Sequence, residues 1–231
     1  MKYLTAVLYC AVYTLLFQFS KGRQESENQH VSTEAEHEQV RKRRSFGSWE
    51  PPCNLTNGIY LERWDRIDYK RVKFLVMDPR YPRLPSETIC LPEFQQPQRW
   101  ADYFGARART YFVPQQTGIY YFMLSSDAGS ELYLSTNEKP DSKSKISNID
   151  GGFTTYPFEF DRYSGQISLP ISLKKGKYYY METIMKDDHQ NDHLEVGMRT
   201  PDGKNYTVIP SAFLRTTLPV PPSKSGKLCT V

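Results

Sequence analysis

From residue 109 to residue 214 the chain is written in short segments whose apolar side chains recur at every second position, each closed by proline, glycine or small polar residues. Period two is the signature of a strand with one face on a core. Residues 109–113 form such a segment and stop at Pro114. Residues 118–126 put Tyr120, Phe122 and Leu124 on one face, and residues 131–135 do the same with Leu132 and Leu134. Asp127-Ala128-Gly129-Ser130 between them has turn composition, so the pair is expected to form a β-hairpin. Residues 137–152 read as polar loop. Residues 165–173, 177–186, 192–200 and 206–214 read as further strands, with a strong turn signal at Pro201-Asp202-Gly203. Upstream, residues 71–78 are a short strand candidate on the alternation of Val72, Phe74 and Val76. Residues 78–97 carry Pro79, Pro82, Pro85, Pro92 and Pro97 and read as irregular connection. No amphipathic helix exceeds two turns, and no segment repeats. The predicted fold is all-β: one antiparallel β-sandwich, jelly-roll-like.

The first 44 residues predict no part of that sandwich. Lys2 precedes an apolar run over residues 5–19, and Ser20 and Gly22 supply small residues for a cut after Gly22. This is the pattern of a secretory signal peptide (residues 1–22), too short for a comfortable membrane span. Residues 23–44 read as a disordered acidic propeptide: Glu25, Glu27, Glu34, Glu36 and Glu38 occur without one aromatic residue. It ends in Arg41-Lys42-Arg43-Arg44, a basic tetrad that suits the acidic pockets of a proprotein convertase; heparin binding is the alternative reading. The sandwich is expected over residues 45–215, followed by a disordered tail over 216–231. The formal net charge is +4, from 30 basic and 26 acidic residues, and falls to +2 over residues 45–231, which argues against a nucleic-acid partner. Cys10 leaves with the signal. Of Cys53, Cys90 and Cys229, the pairing Cys53–Cys90 is favoured and leaves Cys229 for a homodimer bridge, with Cys53–Cys229 as the competing pairing. Asn54 and Asn205 head glycosylation sequons. Export to the extracellular space is the expected localisation.

A family resemblance rests on pieces in order. Gly58 to Trp64 with Ile67, Tyr103 to Phe112, Thr117 to Asp127, Glu131 to Ser135, Leu173 to Glu182, Asp192 to Gly197, Pro201-Asp202-Gly203 and Val208 to Leu214 together resemble the anthrax protective-antigen-type domain, a fourteen-kilodalton lectin-like β-sandwich. The resemblance implies an extracellular glycan or glycoprotein as partner. In sugar-binding members, two adjacent aspartates after the best-marked strand, joined by a cis peptide, hold a calcium ion that sugar hydroxyls complete. Here Ala128 follows Asp127, so Asp127 alone is left as the calcium candidate and no resident cofactor is expected.

A second polar run, Asp187-Asp188-His189-Gln190-Asn191-Asp192-His193, is dense in ligand types. It is expected to be a solvated loop; for a cation, Asp187, Asp188 and Asp192 are better oxygen donors than the two histidines are nitrogen donors. Asp127, Asp188, Asn191 and Asp192 are the candidate ligand-binding residues. Tyr120-Tyr121 and Tyr178-Tyr179-Tyr180 place tyrosine on both strand faces, and the outward members are candidates for stacking on sugar or partner protein. No nucleophile–base set, phosphate-cradling loop or HExxH motif occurs, so the chain is not expected to be an enzyme. The leading expectation is a secreted, processed binding module for a cell-surface or matrix glycan. The alternative is a secreted protein-binding ligand or structural partner without a sugar site.

Overall fold

Residues 54–189 and 191–219 are described by the structure, a computed structural model, and all belong to the unit Glu50–Val231. The signal, propeptide and tetrad, Cys53, and Cys229 with most of the tail lie outside them. The strands are β1 (Ile59–Asp65), β2 (Glu87–Leu91), β3 (Phe104–Phe112), β4 (Gly118–Ser126), β5 (Ser130–Ser135), β6 (Lys143–Ile149), β7 (Ile171–Leu173), β8 (Tyr179–Lys186), β9 (Leu194–Arg199), β10 (Asn205–Tyr206) and β11 (Leu214–Arg215). One short helix, α1 (Val72–Met77), joins β1 to β2. All pairings are antiparallel. One sheet runs β2-β1-β3-β8-β5-β6, with β11 also paired to β3, and the other runs β10-β9-β4-β7. Among the described residues no helix is long and apolar enough to cross a membrane.

Alternation decides the layers. Tyr120, Phe122 and Leu124 of β4 face inward, as do Leu132 and Leu134 of β5 and Met181 and Met185 of β8, and all enter one core. Phe112 of β3 meets the rings of Phe122 and Tyr120 edge-on across the gap between the sheets, at 5.1 and 5.6 Å. This corrects the expected hairpin. β4 and β5 do not pair; β4 lies between β9 and β7, and β5 between β8 and β6. Their apolar faces look at each other, so the Asp127–Ser130 connection passes from one sheet to the other. A side chain at Gly129 would strike the Lys70 carbonyl oxygen at 2.6 Å, which is why the crossing can be this tight.

Other segments depart from expectation for local reasons. Residues 71–78 form α1 rather than a strand: Leu75 breaks the alternation, and Val72 and Leu75, three apart, share the buried face. β6 was expected to be loop. The register slips between Leu132 and Tyr133 so that Ile146 is bulged out, which spaces Ile146 and Ile149 three apart and erases period two. The proline-rich connection contains β2, an edge strand. In the predicted strands over residues 165–173 and 206–214, only Ile171–Leu173, Tyr206 and Leu214 lie in regular strands.

The tyrosine expectation also needs correcting. Tyr120 sits in the core, and Tyr121 lies under the Arg199 guanidinium at 4.2 Å. Tyr179 and Tyr180 are buried, and Tyr178 meets Tyr111 edge-on.

The outer face of the large sheet carries a second core of Trp64, Ile67, Val72, Leu75 and Ile184 under α1. Gly105 lets the helix approach: a Cβ there would fall 2.7–2.9 Å from three carbons of Leu75. Gly105→Val is therefore expected to lower the unfolding free energy by about 1–3 kcal/mol. Urea titration checks this, and Leu75→Ala in the same background should recover part of the loss.

Candidate functional site

Four connections meet at one end of the sandwich. The backbone N–H of Asp127, just after β4, donates to the His193 carbonyl oxygen at 3.2 Å. Thr155 N–H donates to the Ser126 carbonyl oxygen at 3.1 Å, and Thr154 Oγ1 donates to Asp127 Oδ1 at 2.7 Å. The Arg99 and Tyr103 amides donate to the carbonyl oxygens of Asp192 (3.2 Å) and Asp188 (2.9 Å). The two polar segments picked out in the sequence, Asp127 and the 187–193 loop, are thus neighbours. Between them and the 154–162 loop lies a cleft of about 410 Å³ whose lining includes Arg99, Asp127, Tyr156, Arg162, Asn191 and His193. A shallower hollow of about 440 Å³ adjoins it over Arg99, Ala101, Asp102, Asn191 and Asp192.

The aspartates of the loop divide by role. Asp188 pairs with Lys70 at 2.9 Å and with His189. Burial pushes its carboxyl up, but Lys70 and the His189 amide outweigh this and hold it below the usual range. Asp192 turns its Oδ2 toward the protein, where the Trp100 amide (2.8 Å) and Gln96 Nε2 (3.3 Å) donate to it, and burial raises its pKa. These two contacts fix loops. Asp127 is half-buried, and burial raises its pKa against the hydrogen bond from Thr154. Asn191 lines both hollows.

Asp187 differs from the others. It is fully buried, and neither carboxylate oxygen has a hydrogen-bond partner among the described residues. Burial, reinforced by Asp192 and Asp127, pushes its pKa up to about 8. Lys186 beside it is also buried, which brings its ammonium down to about 8; its Nζ donates to the Asp187 backbone carbonyl rather than to the carboxylate.

The two histidines do not act together. His193 is buried, with Nδ1 2.8 Å from Glu195 Oε2 and Nε2 2.9 Å from the Thr155 carbonyl oxygen. Both neighbours can accept, an arrangement that favours the doubly protonated ring. Burial opposes that charge, and Glu195 outweighs it and raises the pKa. His189 stacks on Tyr103 at the surface.

Among the described residues, no group of three or more His, Cys, Asp or Glu side chains is arranged to hold a metal ion. Their one cis peptide is Tyr81–Pro82, so Asp127–Ala128 is trans. Cys90 is disulfide-bonded to a partner outside the described residues. Asn54 and Asn205 are exposed. Arg99, Thr154, Tyr156 and Arg162 lie outside every segment that the sequence marks as strand, loop or motif.

Residues 93–212 match the family model described as PA14 domain. The chain is 31% identical over 138 residues to mouse N-acetyl-beta-glucosaminyl-glycoprotein 4-beta-N-acetylgalactosaminyltransferase 1, a match covering 58% of this chain and 13% of that protein. In fold it is similar to the PA14 domain of the MpAFP antifreeze protein (TM-score 0.54, 13% identity, 73% of this chain and 95% of that one). It is also similar to a PA14 sugar-binding domain from an RTX adhesin (TM-score 0.52, 10% identity, 70% and 99%). The matched stretch takes in just over half of the chain and carries the β3–β9 body of the sandwich; this chain belongs to the PA14 domain family.

Proposed function

We propose that this chain is a secreted, non-enzymatic binding module of the protective-antigen type that recognises a cell-surface or matrix glycan or glycoprotein through the cleft beside Asp127. The observation that carries this reading is Asp187, a buried carboxylate with no hydrogen-bond donor among the described residues, within electrostatic reach of Asp127 on the cleft wall. A lone carboxylate in that position costs free energy unless a proton or a cation compensates it. Asp127 and Asp187 are two carboxylates within electrostatic reach of each other, fewer than a protein-only calcium site needs, so the calcium ion that the family resemblance implies would depend on ligand and solvent oxygens to complete its shell. Asp127 and Asp187 would hold the ion, and it would supply positive charge for sugar hydroxyl oxygens. Tyr156, 73% exposed on the rim, offers a ring face to a sugar.

Processing after Arg44, glycosylation at Asn54 and Asn205, and a Cys53–Cys90 bridge that leaves Cys229 for a dimer belong to the same reading. A protein-binding role without sugar is the second reading, favoured by the exposed apolar side chains of Phe153, Phe158, Ile167 and Leu169.

The test is a glycan array probed with the secreted full chain, in calcium and in chelator, beside Asp127→Ala and Asp187→Asn. Binding is expected in calcium and is expected to disappear in chelator and in both variants. A folded wild type that binds no glycan would make the protein-binding reading the working one.

A further inference from the structure

The cleft has a second chemical feature, which carries an inference about its ligand. Two guanidinium groups reach it from different loops. Arg99 precedes Trp100 in the loop that Asp192 holds, and Arg162 follows the 154–158 wall. The Arg99 side chain is exposed and has no hydrogen bond or ion pair with any described residue. Its backbone sits at φ 54°, in the left-handed region, pinned by the amide bond to Asp192. Arg162 lies over the rings of Tyr156 (5.9 Å) and Tyr163 (5.5 Å). Its one ion pair, to Glu159, is long at 3.5 Å and solvent-exposed.

Of the acids nearby, Asp127 on the cleft wall accepts from Thr154 Oγ1 and is the carboxylate assigned to the ion; the others are committed elsewhere or face another way. Glu159 Oε2 also accepts the Tyr156 amide, Asp192 accepts from the 96–100 loop, and Glu195 is taken by His193. Both His193 ring nitrogens are engaged, by Glu195 and by the Thr155 carbonyl, and do not serve the cleft. Two planar donor forks therefore face a polar cleft with capacity to spare, and this shape matches a carboxylate or a sulfate in bidentate fashion.

We propose that the ligand of this cleft is an anionic saccharide, a sugar bearing a carboxylate or sulfate group that Arg99 and Arg162 clamp while its ring lies against Tyr156. This rests on the cleft being the glycan site.

The test uses the secreted full chain in calcium and three matched probes: N-acetyllactosamine, its sulfated form and its sialylated form. Wild type is expected to bind at least one anionic form about tenfold tighter than the neutral one, the size of one charge-assisted hydrogen bond. Whether sulfate or carboxylate gives the gain identifies the source of the charge. Arg99→Gln and Arg162→Gln are each expected to cost the anionic form about tenfold more than the neutral form, with unchanged thermal melting. Equal binding of all three probes by wild type would overturn the proposal and leave the glycan reading standing. So would variants that weaken all three equally. No binding of any probe would overturn both.

Discussion

Glu62→Ala lowers the unfolding free energy of the sandwich by about 3–5 kcal/mol, the usual result of stripping the partner from buried charges. For a domain of this size that is a fall in melting temperature of about 6–20 °C. Glu62 stands opposite Arg107 in the β1–β3 register, on the outer face of the large sheet. Its Oε2 accepts from Arg107 Nε at 2.7 Å, and its Oε1 from Arg109 Nη2 at 2.9 Å. All three residues are under 9% exposed. Arg107 is roofed by the rings of Trp64 and Tyr81 at 5.6 and 5.2 Å. With Glu62 gone, two guanidinium groups stay in this dry site with one acid fewer. Glu182 cannot replace it, because it already accepts from Tyr180 and Lys143. The triple variant Glu62→Leu, Arg107→Leu, Arg109→Leu removes the charges together and should sit much closer to wild type. Urea titration of the three proteins decides. A loss under about 1 kcal/mol for Glu62→Ala would mean that the cluster behaves as a solvated surface pair.

The same cluster marks where sequence reading works and where it stops. Ala106-Arg107-Ala108-Arg109 obeys period two, but its core-facing residues are alanines, so the hydrophobic alternation marks the strand only from Arg109 on and the family resemblance supplies the rest. That the arginine face is also buried depends on the 66–86 segment folding over it, and nothing local in residues 104–112 reports that cover. The sandwich class was legible for this reason, since alternation is a property of neighbours in sequence. Pairing was less so. The turn composition at Asp127–Ser130 is correct, but a turn between two strands looks the same whether they share a sheet or face each other across the core. The site was legible as two separate polar segments. That Asp127 and Asp187 come within electrostatic reach, and that Asp187 is left without donors among the described residues, needs the three-dimensional arrangement of β4, β8 and the loops between them.

The second large effect is a reversal at Asp187. Its folded-state pKa is raised to about 8, whereas an unfolded aspartate titrates near 3.8. Between those values the folded state holds a proton that the unfolded state has lost. Stability therefore falls as pH rises through that window. Asparagine fills nearly the same volume and does not titrate. In chelator at neutral pH, Asp187→Asn should melt above wild type, and the advantage should shrink toward zero as pH drops below the unfolded value. Lys186 titrates at the upper edge of the window, so the comparison is read below neutrality. Calcium inverts the order near pH 5, where the asparagine advantage has shrunk to about 1.6 kcal/mol. An ion bound by Asp127 and Asp187 binds only the ionised folded state, and at a hundredfold excess over its dissociation constant it adds about 2.7 kcal/mol to wild type. That gain is worth about 5–11 °C for a domain of this size. The asparagine variant lacks one of the two carboxylates and gains little. Thermal melts of both proteins across acid and neutral pH, with calcium and with chelator, show whether the curves exchange places. A variant no more stable than wild type in chelator would mean that Asp187 meets donors in solution. A calcium gain shared equally by both proteins would place the ion elsewhere and remove the carboxylate argument on which the glycan site rests.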